Sequence, residues 1–333
     1  MPNIRIQKLI KKNEFILFST IIIICILISS MTQEFLTIGN IYDLLNNYSM
    51  LTILACGLFI VLISGGIDIS FPATTIISQY IMVLAINEIT SNFFIAFFIS
   101  GSIGLCLGVI NALLVNRLKV PSIIITISTL NVFYGLLLFL SKGEWLYKYP
   151  MWFEEGVTLF SFTAADDYDY GLTLPMIIMI LVVSLTSFIM NKTSIGRQTF
   201  AVGGNSEAAS RVGFSILKVQ IFAYGYLGLL AGLAGVVQSY TILTVAPDSL
   251  LGYELTVLAA VVLGGTSIIG GKGTLLGTIL GVVLIALIQN GLNLLGVSSY
   301  WHTLITGSVI LVSISMTAWR QKKTGDTHGF TTV

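Results

Sequence analysis

Long apolar runs separated by short polar connections fill most of the chain. A helix needs about 20 consecutive apolar residues to cross the hydrocarbon core of a bilayer, and runs close to that length recur. They lie at 14–31, 48–64, 72–87, 93–115, 121–141, 172–191, 219–241, 254–268, 274–294 and 300–319. This pattern predicts an all-α integral membrane protein with about ten (8–10) transmembrane helices, of which the third and eighth are short enough to be broken or re-entrant.

The composition supports a membrane protein. Of the 333 residues, 55% are hydrophobic and only 9% are charged, whereas soluble domains carry about 25% charged residues. This argues against an ordinary soluble enzyme, and the formal net charge of +1 gives no bias toward nucleic acid as a partner. The cysteines Cys25, Cys56 and Cys106 lie inside apolar runs, and we interpret them as small buried hydrophobes.

The basic residues indicate how the chain is oriented, because Lys and Arg near helix ends stay in the cytoplasm. If the chain starts inside, the ten segments place all 16 Lys and Arg residues in the cytoplasm except Lys142 and Lys148. We therefore expect both termini to be cytoplasmic. The predicted parts are a basic N-terminus at 1–13, a membrane domain at 14–319 with an external loop at 142–171 and a cytoplasmic loop at 192–218, and a tail at 320–333.

Glycines recur four residues apart within several predicted spans. Small residues at this spacing let two helices approach closely in a membrane, so we expect them to form packing faces. The pairs are Gly104 with Gly108, Gly228 with Gly232, and Gly277 with Gly281.

The glycine-rich segment VVLGGTSIIGGKGT follows the start of the eighth run. It is not a phosphate-binding loop, because Thr266 stands at the first glycine position of that motif and Gly273 stands at its hydroxyl position. Glycines release the backbone from helical geometry, and non-helical backbone near a membrane must be covered by protein or water. We predict a helix break here, marked by Gly264, Gly265, Gly270 and Gly271.

A matching break is predicted at LISGGIDISFPATT. Gly65 and Gly66 end one helix, Asp68 or Ser70 caps the next, and Pro72 suits its first turn. Because a charge inside the bilayer is costly, we expect Asp68 to be a cap at the interface, with an ion or proton site as the alternative. Both breaks follow a run of the same predicted direction, which hints at an internal repeat.

Polar residues inside the spans are uncharged. Such hydroxyl, amide and aromatic groups suit a path for a neutral polyhydroxylated solute, and they equally suit hydrogen bonds between helices. The candidates for the path are Gln79, Thr126, Thr129, Asn131, Tyr134 and Gln238. Enzyme chemistry is scarce, because His302 and His328 are the only histidines and form no catalytic or metal-binding set. We therefore predict neither catalytic nor metal-binding residues.

The loop segment GGNSEAASRVGF predicts a short helix at the cytoplasmic face. Asn205 or Ser206 can cap it, and Glu207 lies in its first turn. A short helix bounded by glycines has little to bury against by itself. It is therefore either a plain surface loop or a docking element for a soluble partner.

Taken together, these segments resemble the membrane permeases of ribose-type sugar ABC importers, a family that includes autoinducer-2 and branched-chain amino acid permeases. The similar stretches are LISGGIDIS, NALLVNRLKVPSIIITISTL, TSIGRQTFAVGGNSEAASRVG, GYELTVLAAVVLGGTSIIGGKGTLLGTILG and IQNGLNLLGVSSYW. Phe71-Pro72 stands where Val-Gly is usual, and Ser128 replaces the glycine of a Thr-Leu-Gly-Thr run. These departures bear on which sugar is carried.

The resemblance implies a type II-like importer fold in a bacterial plasma (inner) membrane. It also implies a second permease copy, identical or related, an extracytoplasmic sugar-binding protein, and a cytoplasmic ATPase subunit that binds ATP and Mg, while this chain binds no cofactor itself. The segment that meets the ATPase would contain Gly204, Asn205, Glu207, Ala208, Ala209 and Arg211. The alternatives are an autoinducer-2-type or other small-solute permease, an ion-coupled secondary transporter, and an intramembrane enzyme.

Overall fold

A computed structural model describes residues 13–88, 92–163, 169–298 and 300–301, together with isolated positions between 304 and 315. Most of the predicted N-terminal segment 1–13, His302 and the tail 320–333 lie outside the described residues, as does most of the predicted tenth span.

Helices form most of the described chain. The first half contains α1 (Asn13–Met31), α2 (Ile38–Asn47), α3 (Ser49–Ile63), α4 (Phe71–Glu88), α5 (Phe93–Leu118) and α6 (Ser122–Ser141). A connection with α7 (Met151–Glu154) and the strands β1 (Thr158–Thr163) and β2 (Asp169–Thr173) follows. The second half contains α8 (Leu174–Lys192), α9 (Ser194–Gly204), α10 (Ser206–Arg211), α11 (Ile216–Ile242), α12 (Tyr253–Leu263) and α13 (Leu275–Leu294).

Six helices of the described part, α1, α5, α6, α8, α11 and α13, are long and apolar enough to cross a membrane. The pair α2 and α3, joined by a 44° bend, makes a seventh if it is counted as one span. Helix α12 is apolar but has 11 residues, too few to cross the hydrocarbon core alone. The chain is therefore a predominantly helical multispan protein, and the finer count of about ten spans and the placement of the termini stay predictions.

The prediction of an all-α chain is wrong in the connection predicted as a loop at 142–171. Strands β1 and β2 pair antiparallel there, with Thr158 opposite Thr173 and Thr163 opposite Asp169. The alternating sequence TLFSFT of β1 favours a strand, because β-branched and aromatic residues suit an extended backbone. An isolated bridge between Leu146 and Val245 ties this connection to the chain after α11.

Aromatic residues anchor this connection to the helices. Phe153 is fully buried and stacks on Tyr149, with ring centroids 5.2 Å apart, and on Phe93, with centroids 5.3 Å apart. The Tyr240 hydroxyl accepts a 2.9 Å hydrogen bond from the backbone N–H of Val157. Burial raises the pKa of the Tyr149 hydroxyl to about 12, so this group is neutral at physiological pH.

Helix α2 is an element that the hydrophobic pattern did not predict. It has 10 residues, IGNIYDLLNN, and the Thr37 hydroxyl caps it by accepting a hydrogen bond from the Asn40 N–H. Half of these residues are polar or glycine, so the segment lacks the long apolar run that identifies a span. It precedes α3 and bends into it.

The core of the bundle is built around α3, all of whose 15 residues are buried. Helix α11 packs against α3, α4 and α5, and α13 packs against α1 and α12. The outer faces carry exposed apolar side chains such as Phe94 and Phe98 on α5 and Phe139 on α6. Apolar side chains on the outside are the arrangement expected when lipid surrounds the helices.

The predicted glycine packing faces are confirmed. On α5, Gly104 and Gly108 face Gly228 of α11, and Gly232 faces the backbone of Ser100. A methyl group at any of these glycines would overlap the backbone of the neighbouring helix. In the second half, Gly277 and Gly281 of α13 pack in the same way against the carbonyl oxygens of Gly264 and Ala260 at the end of α12.

Candidate functional site

Helix α3 ends in a tight turn built on a glycine. The Gly65 N–H donates to the Leu62 carbonyl at 2.9 Å, and the Gly66 N–H donates to the Val61 carbonyl at 3.1 Å. This pair of bonds is the Schellman arrangement, which needs a left-handed residue just after the helix. Gly65 supplies it with a φ of 85°.

Helix α12 ends in the same turn. The Gly265 N–H donates to Val262 at 2.8 Å and the Thr266 N–H donates to Val261 at 3.3 Å, and Gly265 has a φ of 89°. The two predicted helix breaks therefore share one backbone geometry.

The helices that lead into the two turns also resemble each other in sequence. Helix α3 contains LTILAC from Leu51, and α12 contains LTVLAA from Leu255. Because α3 has 15 residues and α12 has 11, α12 is shorter by about one helical turn. The internal repeat stays a prediction, which the short sequence similarity and the shared turn support.

After the first turn, buried side chains tie the chain to neighbouring helices. Asp68, 3% exposed, accepts hydrogen bonds at 2.7 Å from both the backbone N–H and the hydroxyl of Ser70, directly before α4. The Asn111 amide of α5 donates to the Ser70 hydroxyl at 2.6 Å. On the other side, the Ile67 N–H donates to the Ser122 hydroxyl of α6 at 2.9 Å, and the Thr126 hydroxyl donates to the Ile67 carbonyl at 3.2 Å.

The second break is held mainly by backbone groups. The Ser267 N–H donates to the Lys272 carbonyl at 2.8 Å, and Gly270 and Gly271 both have positive φ angles, of 104° and 68°. Thr274 caps the start of α13, because its hydroxyl accepts a hydrogen bond from the Gly277 N–H at 3.1 Å. This segment joins two helices, not the strand and helix of a phosphate-binding loop.

The segment predicted as a cytoplasmic loop at 192–218 contains the two helices α9 and α10. Asn205 caps α10, because its side-chain oxygen accepts from the Ala208 N–H at 2.9 Å. Ala209 is buried and packs with Val202 of α9 and Val219 of α11. The remaining side chains of α10 are exposed: Ser206, Glu207, Ala208, Ser210 and Arg211. The short helix therefore presents one polar face away from the bundle.

Glu207 and Arg211 lie one turn apart on that face. Their side chains approach to 3.9 Å while staying 85% and 82% exposed. An ion pair this exposed contributes little to stability, so both charges remain available to another molecule.

The two helix breaks and α9 meet at Gly203, the next-to-last residue of α9. The Gly271 N–H donates to the Ile63 carbonyl at 2.9 Å, which joins the second break to the end of α3. A methyl group on Gly203 would overlap that Ile63 oxygen, and one on Gly270 would lie 2.7 Å from both the Gly203 oxygen and the Gly65 Cα. We call this contact of both breaks with α9 the glycine junction, consisting of Ile63, Gly65, Gly203, Gly270 and Gly271.

The glycine junction contains some of the predicted residues and some that sequence reasoning missed. Gly65, Gly270 and Gly271 were predicted as break residues. Gly204, which was predicted as a coupling residue, lies beside Gly271. Gly203 and Ile63 were missed as site residues, and the paired glycines at 203–204 before a capping Asn205 were the available signal. Two further break residues pack elsewhere, Gly66 against the Tyr224 hydroxyl and Gly264 against α13.

The candidates for the solute path are not brought together. Gln79 is fully buried and donates to the Ser239 hydroxyl at 3.0 Å. Gln238 is also buried, and its side-chain oxygen has no hydrogen-bond partner among the described residues. Thr126 and Thr129 are buried on the inner face of α6, whereas Asn131 is exposed and bonds the Ile127 carbonyl of its own helix.

Tyr134, the last of the path candidates, is half-buried. The six residues thus fall into separate groups, two inside the bundle around α4 and α11 and the others along α6. None of the six lines the clefts around Phe59, Tyr48 or Tyr224.

Comparison with known proteins places this architecture in a family. The model of the permease component of branched-chain amino acid transport systems matches residues 40–314. The ribose import permease protein RbsC of Bacillus subtilis (strain 168) is 35% identical over 299 residues, 89% of this chain and 90% of that protein. The Escherichia coli (strain K12) RbsC is 31% identical over 294 residues, covering 88% and 90%.

A third relative carries a different name. The autoinducer 2 import system permease protein LsrC of Photorhabdus luminescens is 31% identical over 306 residues, 91% of this chain and 89% of that protein. No solved structure matches the chain.

Proposed function

Since the chain belongs to the family of branched-chain amino acid transport system permease components, we propose that it is the membrane subunit of an ATP-binding cassette importer for a monosaccharide. A pentose, a deoxyhexose or a related sugar is the proposed cargo. The relatives named as ribose permeases support this class, because they match this chain over about nine-tenths of its length. Apart from Asp68, the buried polar side chains of the described residues are amides and hydroxyls, which also suit a neutral sugar.

The observation that carries the proposal is the glycine junction. Helix α10 presents exposed polar side chains and is continuous through Asn205 with α9, and α9 ends in backbone contact with both helix breaks. A displacement of α10 by a partner protein is therefore passed directly to the end of α3 and to the segment that joins α12 to α13. Each break leads into a further helix, α4 and α13 respectively, so one push moves two helices.

We assign this push to a cytoplasmic ATPase subunit, which binds ATP and Mg and contacts Asn205, Glu207, Ala208 and Arg211. Gly204 gives the backbone room at this contact, and buried Ala209 fixes the helix to the bundle. Nucleotide-driven closure of the ATPase then tilts the helices at both breaks. The subunit alternates between outward and inward access and carries out no covalent chemistry itself.

The other parts of the transporter follow from the same proposal. A second permease copy, identical or related, completes the path in the bacterial inner membrane, and an extracytoplasmic sugar-binding protein delivers the cargo at the opposite end.

Autoinducer-2 is the second candidate cargo. The observation that favours it is the match to the Photorhabdus LsrC, which is as close in identity as the match to the Escherichia coli RbsC.

The test is transport by the reconstituted complex of permease, ATPase and binding protein. We expect ATP-dependent uptake of a pentose in the wild type, and loss of uptake in the double variant Glu207→Lys with Arg211→Glu. Because both side chains are exposed, the variant should fold and insert normally, which thermal unfolding in detergent checks. The matched control is Lys192→Glu, a charge reversal at the end of α8, which should keep uptake. Normal uptake by the double variant would remove the coupling role of α10.

A further inference from the structure

A cleft of about 380 Å³ opens beside the first helix break. Its walls come from the end of α3, the end of α5, the start of α6 and the start of α11. Since Gly65 lines the cleft and also touches Gly203 of α9, the cleft lies at the end of the bundle that carries the glycine junction. Its volume is within the range of pockets that hold small molecules.

Five of the eleven lining residues carry neutral hydrogen-bonding side chains: Ser64, Asn116, Ser122, Gln220 and Tyr224. The others, apart from Lys119, are glycine, valine and isoleucine residues. Lys119 adds one ammonium group at the rim, and no carboxylate of the described residues lines the cleft. Amides and hydroxyls around an aromatic ring match a small ring molecule that carries several hydroxyl groups.

The two amides of the cleft hold each other in position. The Asn116 Nδ2 donates to the Gln220 Oε1 at 2.9 Å, which leaves the Asn116 oxygen as an acceptor and the Gln220 nitrogen as a donor. This pair therefore offers one acceptor and one donor side by side, the arrangement that neighbouring sugar hydroxyls can satisfy.

Tyr224 supplies a second observation that points to a ligand. It is only 1% exposed, and its hydroxyl makes no hydrogen bond of ordinary geometry among the described residues, with the Ser122 side chain as its polar neighbour. A buried tyrosine hydroxyl usually makes such a bond. The hydroxyl lies against Gly66, where a methyl group would overlap it, so Tyr224 connects the wall of the cleft directly to the first break.

We propose that this cleft is a binding site for a monosaccharide that enters from the cytoplasmic side, and that its occupancy slows import. The proposal rests on the proposed function, which supplies the orientation and the sugar class. A sugar bound to Tyr224, Asn116 and Gln220 fills the space beside Ser64–Gly66 and holds the break in one position. A ligand that binds one conformation better than another shifts the population toward it, so a high internal sugar concentration restrains the glycine junction.

The test uses the complete transporter in vesicles whose lumen corresponds to the cytoplasm, and also the detergent-solubilised permease without its binding protein. The probes are D-ribose, L-arabinose and D-ribose 5-phosphate. The variant Tyr224→Phe removes only the hydroxyl, which makes no hydrogen bond of ordinary geometry among the described residues, and should therefore fold. The matched control is Tyr149→Phe, because the Tyr149 hydroxyl is also buried and without a partner among the described residues but lies in the connection after α6.

We expect the solubilised permease to bind D-ribose or L-arabinose, with about tenfold weaker binding in Tyr224→Phe and unchanged binding in Tyr149→Phe. Luminal sugar should slow uptake in the wild type and have much less effect in Tyr224→Phe. Tighter binding of D-ribose 5-phosphate than of D-ribose, lost in Lys119→Ala, would also support the site and would identify the phosphorylated sugar as the internal ligand.

The two proposals fail in different ways. Uptake into vesicles whose lumen contains ATP and Mg but no sugar tests the proposed function alone, and its absence would overturn that function. Normal uptake that luminal sugar leaves unchanged would overturn the cleft proposal. Equal sugar binding by the wild type and Tyr224→Phe would overturn it as well.

Discussion

The two helix breaks begin with the same turn and are then held in different ways. The first break is fixed by side chains, since Asp68, Ser70 and Asn111 form a buried network and Ser122 bonds the backbone of Ile67. The second break contains five glycines, at 264, 265, 270, 271 and 273, and is fixed mainly by backbone bonds and by contact with α9.

This difference predicts that one break is rigid and the other flexible. Side-chain networks favour one geometry, because any shift leaves buried polar groups without partners. A backbone rich in glycine has more conformations available at low cost. We therefore expect the first break to move as one body with α5 and α6, and the second break to supply the flexible part of the glycine junction.

The largest effect is expected at Gly203, where the two breaks depend on the same residue. In Gly203→Ala the added methyl group overlaps the Ile63 oxygen, so α9 must move away from both breaks. Overpacking of this kind costs roughly 1–3 kcal/mol. We expect uptake to fall at least tenfold while the ATPase subunit still hydrolyses ATP, a loss of coupling measured by comparing the two rates.

The matched control for Gly203→Ala is Gly135→Ala on α6, where nothing lies within 4 Å of the added methyl group. This variant should insert and transport normally, because alanine is a better helix former than glycine. If Gly203→Ala transported as well as Gly135→Ala, the contact of α9 with the breaks would have no role in coupling.

A smaller effect is expected at Asp68, which tests whether the first break is held by its side chains. Asp68→Ala removes the acceptor for two buried hydrogen bonds, and leaving such donors unpaired costs about 1–3 kcal/mol. Asp68→Asn keeps one acceptor oxygen and should cost less. Thermal unfolding of the purified permease in detergent measures both changes.

Asp68→Asn also separates the two roles considered for this carboxyl group. If the role of Asp68 is only structural, uptake by the variant should fall no further than its loss of stability explains. An ion or proton site would behave differently, because Asn cannot carry the charge, and uptake would then be lost at nearly unchanged stability.

The hydrophobic pattern was sufficient to locate most of the long helices and insufficient for the short elements and the site. Runs such as 93–115 and 274–294 located α5 and α13 closely, since length and apolarity define them. Glycine pairs predicted both breaks because the turn needs a left-handed residue after the helix. The polar helix α2 and the hairpin of β1 and β2 lacked any long apolar run, so the pattern gave no sign of them.

Contacts between segments that are distant along the chain could not be predicted from the sequence. Gly203, Gly65 and Gly270 are far apart along the chain, and their meeting depends on how the helices pack. Tyr224 likewise looked like one of many aromatic residues in an apolar run, and only its position against Gly66 distinguishes it. Spacing rules describe one helix at a time, which is why they predicted the parts of the junction but not the junction.

The smallest effect is expected at Thr274, the side chain that fixes the end of the second break. Its hydroxyl accepts from the Gly277 N–H at 3.1 Å and donates to Glu14 of α1 at 3.0 Å. Thr274→Ala removes this helix cap, a change that costs about 1 kcal/mol, and should lower the unfolding temperature slightly. Thr274→Ser keeps the hydroxyl and should restore wild-type stability. If Thr274→Ala lowered stability as much as Asp68→Ala, the second break would depend on side chains as strongly as the first, and the contrast between them would disappear.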